Sequence, residues 1–593
     1  MMALKRAAAT AGVVLCFGMV AGAPAHSQST SAPLRPVSDQ DLLGAQANAG
    51  EWLTYNRDYK SQRFSPLAQI TSDNIKDLRP AWAFSTGGKL GGLEATPLLR
   101  DGVLYFTADY ARVFAVDARS GTMLWVFEPK YEAGLDAELC CGPINRGVAI
   151  KDDLIYVATL DARLIALNRK DGSVAWEQKL EDWHQGFTGT GAPLVVGDHV
   201  ITGISGGEYG VRAWLRAYDA KTGALQWNTY MVPAPGEPGS ETWQGDAWKT
   251  GGGPTWLTGS YDDETKTLYW GTGNPGSFNS DLRPGDNKFT SSLLALDVDT
   301  GKMKWSFQYT PHDAWDFDGV NTPILVDTMM DGKPMKLAVQ SNRNGFLYVL
   351  DRETGKFLYA VPTLEGINWT TGLDPETGRP TVNEAMRPHP GGPKVENIVP
   401  GLEGGTNWFP MAYNPDLNYV FLASNTWRMS LKAWKAEDVK FKAGDAYMAV
   451  DYQMGRLGKT IGSIKAFDLA SRKFVWSMPS DLPLFSGMLA TKSGLVFTGD
   501  LLGHFLAYDA KSGQELWRFQ SGSGINASPM TYELDGVQYV AILSGLGGDP
   551  SFYYSAPKGG MLWVFALNGG KMQEQGRSSQ QPIPNALEDA PAE

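Results

Sequence analysis

An all-β fold built from repeated four-stranded units is what this 593-residue sequence predicts. Three observations carry the prediction. One short phrase ending on a large ring recurs along most of the chain. The copies return at a basic period of roughly 40–50 residues, the length of four short strands with their turns. The composition is rich in turn-formers and rings, with 68 Gly and 20 Trp against only 20% charged residues.

The phrase reads apolar-apolar-Asp-x-x-Thr/Ser-Gly-x-x-x-Trp. Its copies end at Trp125, Trp176, Trp227, Trp305, Tyr359, Trp476 and Trp517, and a degenerate copy runs from Asn74 to Trp82. In each of the seven clear copies the Asp, or Asn168 in the second, stands eight residues before the ring. Only the sixth lacks the Gly, with Arg472 in its place. The physics is legible: an apolar strand ends at the Asp, whose side chain bonds back to the turn, and the Gly supplies a positive φ. The next strand then ends on the ring. Successive rings are 43, 51, 51, 78, 54, 117 and 41 residues apart, so the gaps of 78 and 117 read as loop insertions on one face. Eight units predict an eight-bladed β-propeller with tryptophan-docking repeats. Residues 561–569 are expected to pair with the N-terminal unit and close the ring. Closure leaves only short, protected sheet edges and a central channel where loops converge.

The ends are read differently. Residues 1–25 have the pattern of a secretory signal peptide: Lys5 and Arg6, an apolar run over 7–21, then Ala23-Pro24-Ala25. The run is too short and alanine-rich for a membrane span, and the surroundings of Cys16 are not those of a lipid anchor. Residues 26–46 are assigned to an N-terminal extension, 47–570 to the propeller, and the polar tail 571–593 to disorder. The mature protein is expected to be soluble and periplasmic. A net charge of −12 argues against nucleic acid as a partner and suits a basic protein.

Export removes Cys16 and leaves the neighbours Cys140 and Cys141. In an oxidising compartment they can pair only with each other or with another molecule. Adjacent Cα atoms lie about 3.8 Å apart, below the roughly 4.4–6.8 Å usual for a disulfide, and such a ring closes almost no loop. Strain without a return in stability suggests function; two buried free thiols are the plain alternative. Residues 311–319, PHDAWDFDG, hold three carboxylates, a histidine and two rings. On an extended backbone Asp316 and Asp318 leave the same face. Two such charges call for a cation or a proton between them, unless the stretch is simply an acidic surface loop. Glu208, in a glycine-flanked turn, suits either a metal ligand or a surface acid. Asn274 alone reads as a turn residue and Trp256 as core.

These repeats, the Cys-Cys pair and the WDFD stretch resemble the pyrroloquinoline quinone (PQQ) dependent alcohol dehydrogenases, over residues 47–569. The resemblance implies a quinoprotein that oxidises primary alcohols to aldehydes by hydride transfer to metal-bound PQQ, passing electrons to a cytochrome c. It implies Glu208 and Asn274 as metal ligands, Ser205, Gly206 and Gly207 beside the quinone, and Trp256 as the floor beneath it. Cys140 and Cys141 match a disulfide roof. Glu94, Arg146, Thr190, Arg343, Asn407 and Trp408 match positions that hold the cofactor, Arg being suited to carboxylates by its planar fork. Phe485 stands where several relatives place a Trp. Asp316 matches the catalytic base that takes the alcohol proton. Asp318 matches the extra acid of lanthanide-type members. Glu208 with Asp316 balances a divalent ion, and Asp318 adds a third charge, so a lanthanide(III) ion is expected, with Ca²⁺ as the alternative.

The interval of 66 positions from Glu208 to Asn274 is shorter than the methanol-type pattern by one substantial loop, which leaves the alcohol open. No Cys-x-x-Cys-His occurs, so electrons are expected to pass to a separate acceptor, which the family resemblance implies is a soluble cytochrome c. A small alcohol is the expected substrate, and a homodimer is compatible with the sequence. The competing readings are a non-enzymatic propeller scaffold and a related PQQ dehydrogenase acting on a polyol, aldehyde or polymer alcohol.

Overall fold

The computed structural model describes residues 34–87, 92–456, 458–548, 550–555 and 557–570. The signal segment 1–25, the first part of the extension, Cys16 and the tail 571–593 lie outside the described residues. Within them the protein is all-β: the only α-helices are the short Asp39–Leu43 and Pro550–Tyr553. None is long and apolar enough to cross a membrane.

The strands form seven four-stranded sheets and one five-stranded sheet, with two smaller ones. The first shows the pattern: Leu98–Arg100, Val103–Thr107, Val113–Asp117 and Met123–Phe127 pair in chain order, each antiparallel to the last. The same order repeats over residues 149–179, 194–230, 260–308 and 324–362. In the sheet spanning 412–480, the second and third strands are separated by Trp427–Ala433 and Val450–Arg456, which pair with each other, Trp427–Ala433 also pairing with Val395–Ile398 to form a separate three-stranded sheet. The gap of 117 residues is therefore occupied by small sheets rather than by unstructured loop. Phe64–Ser65 adds a parallel strand to the sheet over 489–520. In the last sheet the C-terminal strand Met561–Leu567 pairs antiparallel with Leu78–Ser85, from the N-terminal unit, as residues 561–569 were expected to do.

The repeated phrase has a common local structure. Asp117 Oδ1 accepts from the amides of Arg119 (3.0 Å) and Ser120 (2.8 Å), and Asp219, Asp351 and Asp509 cap their own turns alike. The ring then meets the turn of the next unit. The indole N–H groups of Trp82, Trp125, Trp176, Trp227, Trp305 and Trp476 donate to the carbonyls of Ala118, Arg169, Ala220, Val298, Arg352 and Ala510. Each of these rings lies on the turn glycine of that unit; a Cβ on Gly172 (φ 73°) would stand 2.6 Å from Trp125 Cε3. One contact departs on both sides: in the sixth copy Arg472 holds the left-handed turn at φ 57°, and its guanidinium covers Tyr359, which ends the fifth copy as the one ring that is not Trp, at 5.1 Å. Without the hydrogen of a glycine, the turn cannot take an indole lying flat on it.

Candidate active site

The turns between strands carry the side chains singled out above. Asp316 sits in residues 311–319 with φ 63°. The two aspartates therefore do not leave one face of an extended strand, as two-residue spacing suggested; a left-handed turn intervenes. They converge nonetheless, on one guanidinium. Arg343 Nη1 donates to Asp316 Oδ2 at 2.9 Å and to the Asp316 carbonyl at 3.0 Å, and lies 3.4 Å from Asp318 Oδ2. Asp318 is pinned further, with Oδ2 accepting from Trp256 Nε1 at 3.1 Å and Oδ1 accepting from the Asn274 amide.

Two oxygens here are buried with no hydrogen-bond donor, Asp316 Oδ1 and Asn274 Oδ1. Gly207 passes so close to the second that a Cβ would stand 2.4 Å from it, so only glycine fits beside Asn274. Glu208 follows directly, half-buried, its carbonyl accepting from the Tyr447 amide at 2.6 Å.

Burial governs the charge state of this group. It pushes Asp316 well above the usual carboxylate range; Arg343 opposes the shift, while Asp318, Glu208 and Asp313 add to it. Burial likewise raises Asp318, against Arg343 and its two hydrogen bonds, and raises Glu208, with Asp318 adding. Three ionised carboxylates against one guanidinium would leave two negative charges in a nearly dry site, so the protein alone favours protons on them. Among the described residues no three or more His, Cys, Asp or Glu side chains stand grouped as ready metal ligands. The donors are instead spread over separate turns, two of them orphaned oxygens. Hard oxygen atoms, carboxylate and amide, in an acidic pocket with unsatisfied lone pairs fit a hard cation.

The second half of the site joins the first through Trp256. Its indole N–H holds Asp318, and its face lies 4.7 Å under the Arg146 guanidinium, which also covers Trp408 at 5.4 Å. Arg146 pairs with Glu94 at 2.9 Å. Burial raises the Glu94 carboxyl to about 7; Arg146 holds it down and Glu403 pushes it up. The Arg146 amide donates to the Thr190 carbonyl at 3.0 Å, and Thr190 Oγ1 is 2.8 Å from Ser205 Oγ. Gly206, at φ 121°, has no room for a side chain because the Gly186 carbonyl lies 2.2 Å from its Cβ position. Asn407 is held by Glu403 (2.9 Å) and caps the Trp408 amide (2.8 Å), and Trp408 packs on Phe485 at 5.2 Å. Cys140 and Cys141 are bonded to each other, which settles the alternatives left open above. Gly548 links them to the rest, its Cβ position lying 2.7 Å from Glu94 Oε1 and 3.6 Å from the Cys141 carbonyl.

A single chain of contacts thus runs from Asp316 through Arg343, Asp318, Trp256 and Arg146 to Glu94. Residues 52–365 and 382–540 match the family described as PQQ: glucose/ethanol/alcohol dehydrogenase, beta-propeller domain. The chain belongs to the PQQ-dependent alcohol dehydrogenase family. It is 43% identical to the quinoprotein alcohol dehydrogenase PedH of Pseudomonas putida, over 90% of this chain and 93% of that protein. It is 37% identical to the lanthanide-dependent methanol dehydrogenase of Methylorubrum extorquens, covering 86% and 90%. Among solved structures, a europium-containing methanol dehydrogenase superposes with a TM-score of 0.85 at 34% identity, covering 89% of this chain and all of that one.

Within this PQQ-dependent dehydrogenase some contributors were invisible in the sequence. Glu403, Gly548 and Tyr447 reach the site only through long-range packing and leave no local signal. Asp313 stood in the quoted nonapeptide without a role. Arg343 was expected only as a cofactor contact, yet here it is the counter-charge of both aspartates.

Proposed function

We propose that this member of the PQQ family is a periplasmic alcohol dehydrogenase that oxidises primary alcohols to aldehydes, with Asp316 as the base. Bound together, the quinone would supply a two-electron acceptor and the metal a Lewis acid. Glu208, Asn274, Asp316 and Asp318 would hold the metal. Trp256 would carry the quinone from below, the Cys140–Cys141 pair would cover it, and Glu94, Arg146, Thr190, Ser205, Gly206, Gly207, Arg343, Asn407, Trp408 and Phe485 would frame it.

Asp316 takes the hydroxyl proton of the alcohol at its carboxylate. Burial raises its affinity for a proton, with Arg343 opposing, a direction that suits a base. Arg343 is bonded to one carboxylate oxygen of Asp316, and the other has no hydrogen-bond partner. The observation that supports this reading is that Asp316 Oδ1 and Asn274 Oδ1 are both buried without a hydrogen-bond partner, in turns joined by the bond from the Asn274 amide to Asp318.

A lanthanide(III) ion is the proposed metal. Arg343 reduces the charge of Glu208, Asp316 and Asp318 to −2, so these four side chains alone would be balanced by Ca²⁺. A bound quinone would add its own carboxylates to that sum, and the charge of Asp318, without which the four side chains would fall to −1, is what would favour a trivalent ion. We further propose an eight-bladed ring in which each indole docks on the next blade, export directed by residues 1–25, and a soluble cytochrome c as acceptor. Six indole-to-carbonyl bonds between successive sheets support the docking.

The test is reconstitution of the purified mature protein with PQQ and either La³⁺ or Ca²⁺, followed by dye reduction over a panel of primary alcohols. Turnover with La³⁺, abolished in Asp316→Asn while PQQ still binds, is expected. Turnover with Ca²⁺ alone would overturn the metal, and none with any combination would return the chain to the scaffold reading.

A further inference from the structure

The nonapeptide contains a third carboxylate that the proposed chemistry does not use. Asp313 is buried, and both its oxygens are engaged. Oδ1 accepts from the Trp315 amide at 2.9 Å, and Oδ2 accepts from the Phe317 amide at 2.9 Å. Those two amides flank Asp316 on either side. Between them Asp316 adopts φ 63°, a conformation that L-residues avoid and that Asp tolerates better than most. A carboxylate bridging the peptide N–H groups before and after one residue is a local device for keeping that residue in an unfavoured turn.

The clasp is itself anchored. Ser291 Oγ lies 3.5 Å from Asp313 Oδ2, and the Ser291 amide donates to the Gly273 carbonyl at 2.8 Å, next to Asn274. On the other side Arg283, wholly buried, donates to the Asp313 carbonyl and to the Ser277 carbonyl at 2.8 Å, and its third nitrogen reaches Asn287 Oδ1 at 2.7 Å. Ser277 belongs to the turn that follows Asn274. Asp313 and Arg283 thus tie the turn carrying Asp316 and Asp318 to the turn carrying Asn274.

We propose that Asp313 is a positioning residue: by clasping the amides of Trp315 and Phe317, it sets the direction in which the Asp316 carboxylate points and keeps it in register with Asn274. The inference rests on the reading of Asp316 as base and of these turns as the metal site. It accounts for a buried acid whose two oxygens are both taken up by backbone amides, and for a left-handed backbone at the residue the chemistry needs aimed. A displacement of the order of 1 Å in a reacting group costs roughly 10²-fold in rate, and loss of a residue supporting metal ligands costs roughly 10–100-fold in metal affinity.

The experiment compares Asp313→Ala, Asp313→Asn and Asp316→Asn in the full-length, PQQ-loaded protein. Tb³⁺ affinity is read by sensitised luminescence, kcat and KM by dye reduction. For Asp313→Ala we expect kcat to fall about 10²-fold, with KM within about threefold and Tb³⁺ bound roughly 10–100-fold more weakly. Asp313→Asn, nearly isosteric and keeping one acceptor oxygen, should recover about tenfold of the lost kcat. A role confined to stability would lower the amount of active enzyme and leave kcat per bound PQQ and Tb³⁺ affinity at parent values; that result would overturn the proposal. If Asp313→Ala does not fold, Asp313→Asn decides alone, since parent-like kcat and Tb³⁺ affinity in it would overturn the proposal equally. Full turnover in Asp316→Asn would remove the base assignment instead, while the Tb³⁺ affinity of the Asp313 variants would still report whether the clasp holds the turn.

Discussion

At Asp318 one carboxylate does three things. It accepts from the Trp256 indole, accepts from the Asn274 amide, and shares Arg343 with Asp316. Truncation to Ala would therefore unpair an indole N–H and a buried amide as well as remove a charge, each orphaned donor costing about 1–3 kcal/mol. Asp318→Asn is the milder probe because it removes the charge and keeps an acceptor for the Asn274 amide, at the cost of the acceptor for the Trp256 indole. We expect La³⁺ affinity to fall by roughly tenfold or more and La³⁺-supported kcat to fall with it, while Ca²⁺-supported turnover stays within a few-fold. Metal titrations of the two proteins side by side check this; equal La³⁺ affinity would remove Asp318 from the metal's charge balance. Much of this site was legible in sequence because the family's motifs are short and local: WDFD, GGE and GNPG name their residues outright. Arg343 as the shared counter-charge was not legible, since 27 residues separate it from Asp316 and only folding makes them partners. Nor was the left-handed turn at Asp316, for alternation along a strand is the default inference from a spacing of two.

Among the elements, the contact between a ring and the following turn is what joins one sheet to the next. The repeat made it readable: Asp, Gly and Trp at fixed offsets specify a capped turn with a bare Cα for the ring of the preceding unit to cover. What spacing alone could not convey was the content of the insertions, because strands that pair across a gap of 117 residues carry no period. Nor did the missing glycine of the sixth copy announce that Arg472 would cover the lone Tyr359. The contact yields a comparison of two glycines. Gly172 and Gly197 both have positive φ, 73° and 57°, but a Cβ on the first would strike Trp125 while a Cβ on the second meets nothing within 4 Å. Gly197→Ala should cost only the backbone strain, about 1 kcal/mol. Gly172→Ala should add overpacking against the indole, a further 1–3 kcal/mol or so. Urea denaturation followed by tryptophan fluorescence separates the two; equal midpoints would mean that the ring does not bear on the turn.

For the whole molecule, the buried acids make stability and metal binding depend on pH in a defined direction. Glu94 is raised to about 7 and Asp313 to about 6, and Asp58, Glu208, Asp316 and Asp318 are raised as well, burial being the first cause of each. Arg343 faces Asp316, Asp318 and Glu208, Arg146 faces Glu94, and Arg283 faces Asp313; each opposes the shift without cancelling it. In the metal-free protein the folded state therefore binds more protons than the unfolded chain between about pH 5 and 7, and stability falls as pH rises through that window. The contribution is complete below the unfolded carboxylate range and is lost as each folded group ionises. His312 runs the other way, because burial and Arg283 depress it, so the unfolded chain gains a proton there as pH drops below about 6.5. Carboxyls held low by hydrogen bonds and ion pairs, Asp286 and Asp327 among them, also run the other way. They act around and below the unfolded carboxylate range, so above about pH 5 the raised acids set the sign. The protein freed of PQQ and metal should melt higher at pH 5 than at pH 8, by about 3 °C or more. A bound cation must displace those protons, so La³⁺ affinity should rise with pH over the same window and binding should release protons. Calorimetric titration of La³⁺ into the PQQ-loaded protein, in two buffers of different ionisation enthalpy, counts them. Release of one or more protons at pH 6, shrinking towards none at pH 8, is the expected result. A heat independent of the buffer would mean that these carboxyls are already ionised before the metal arrives.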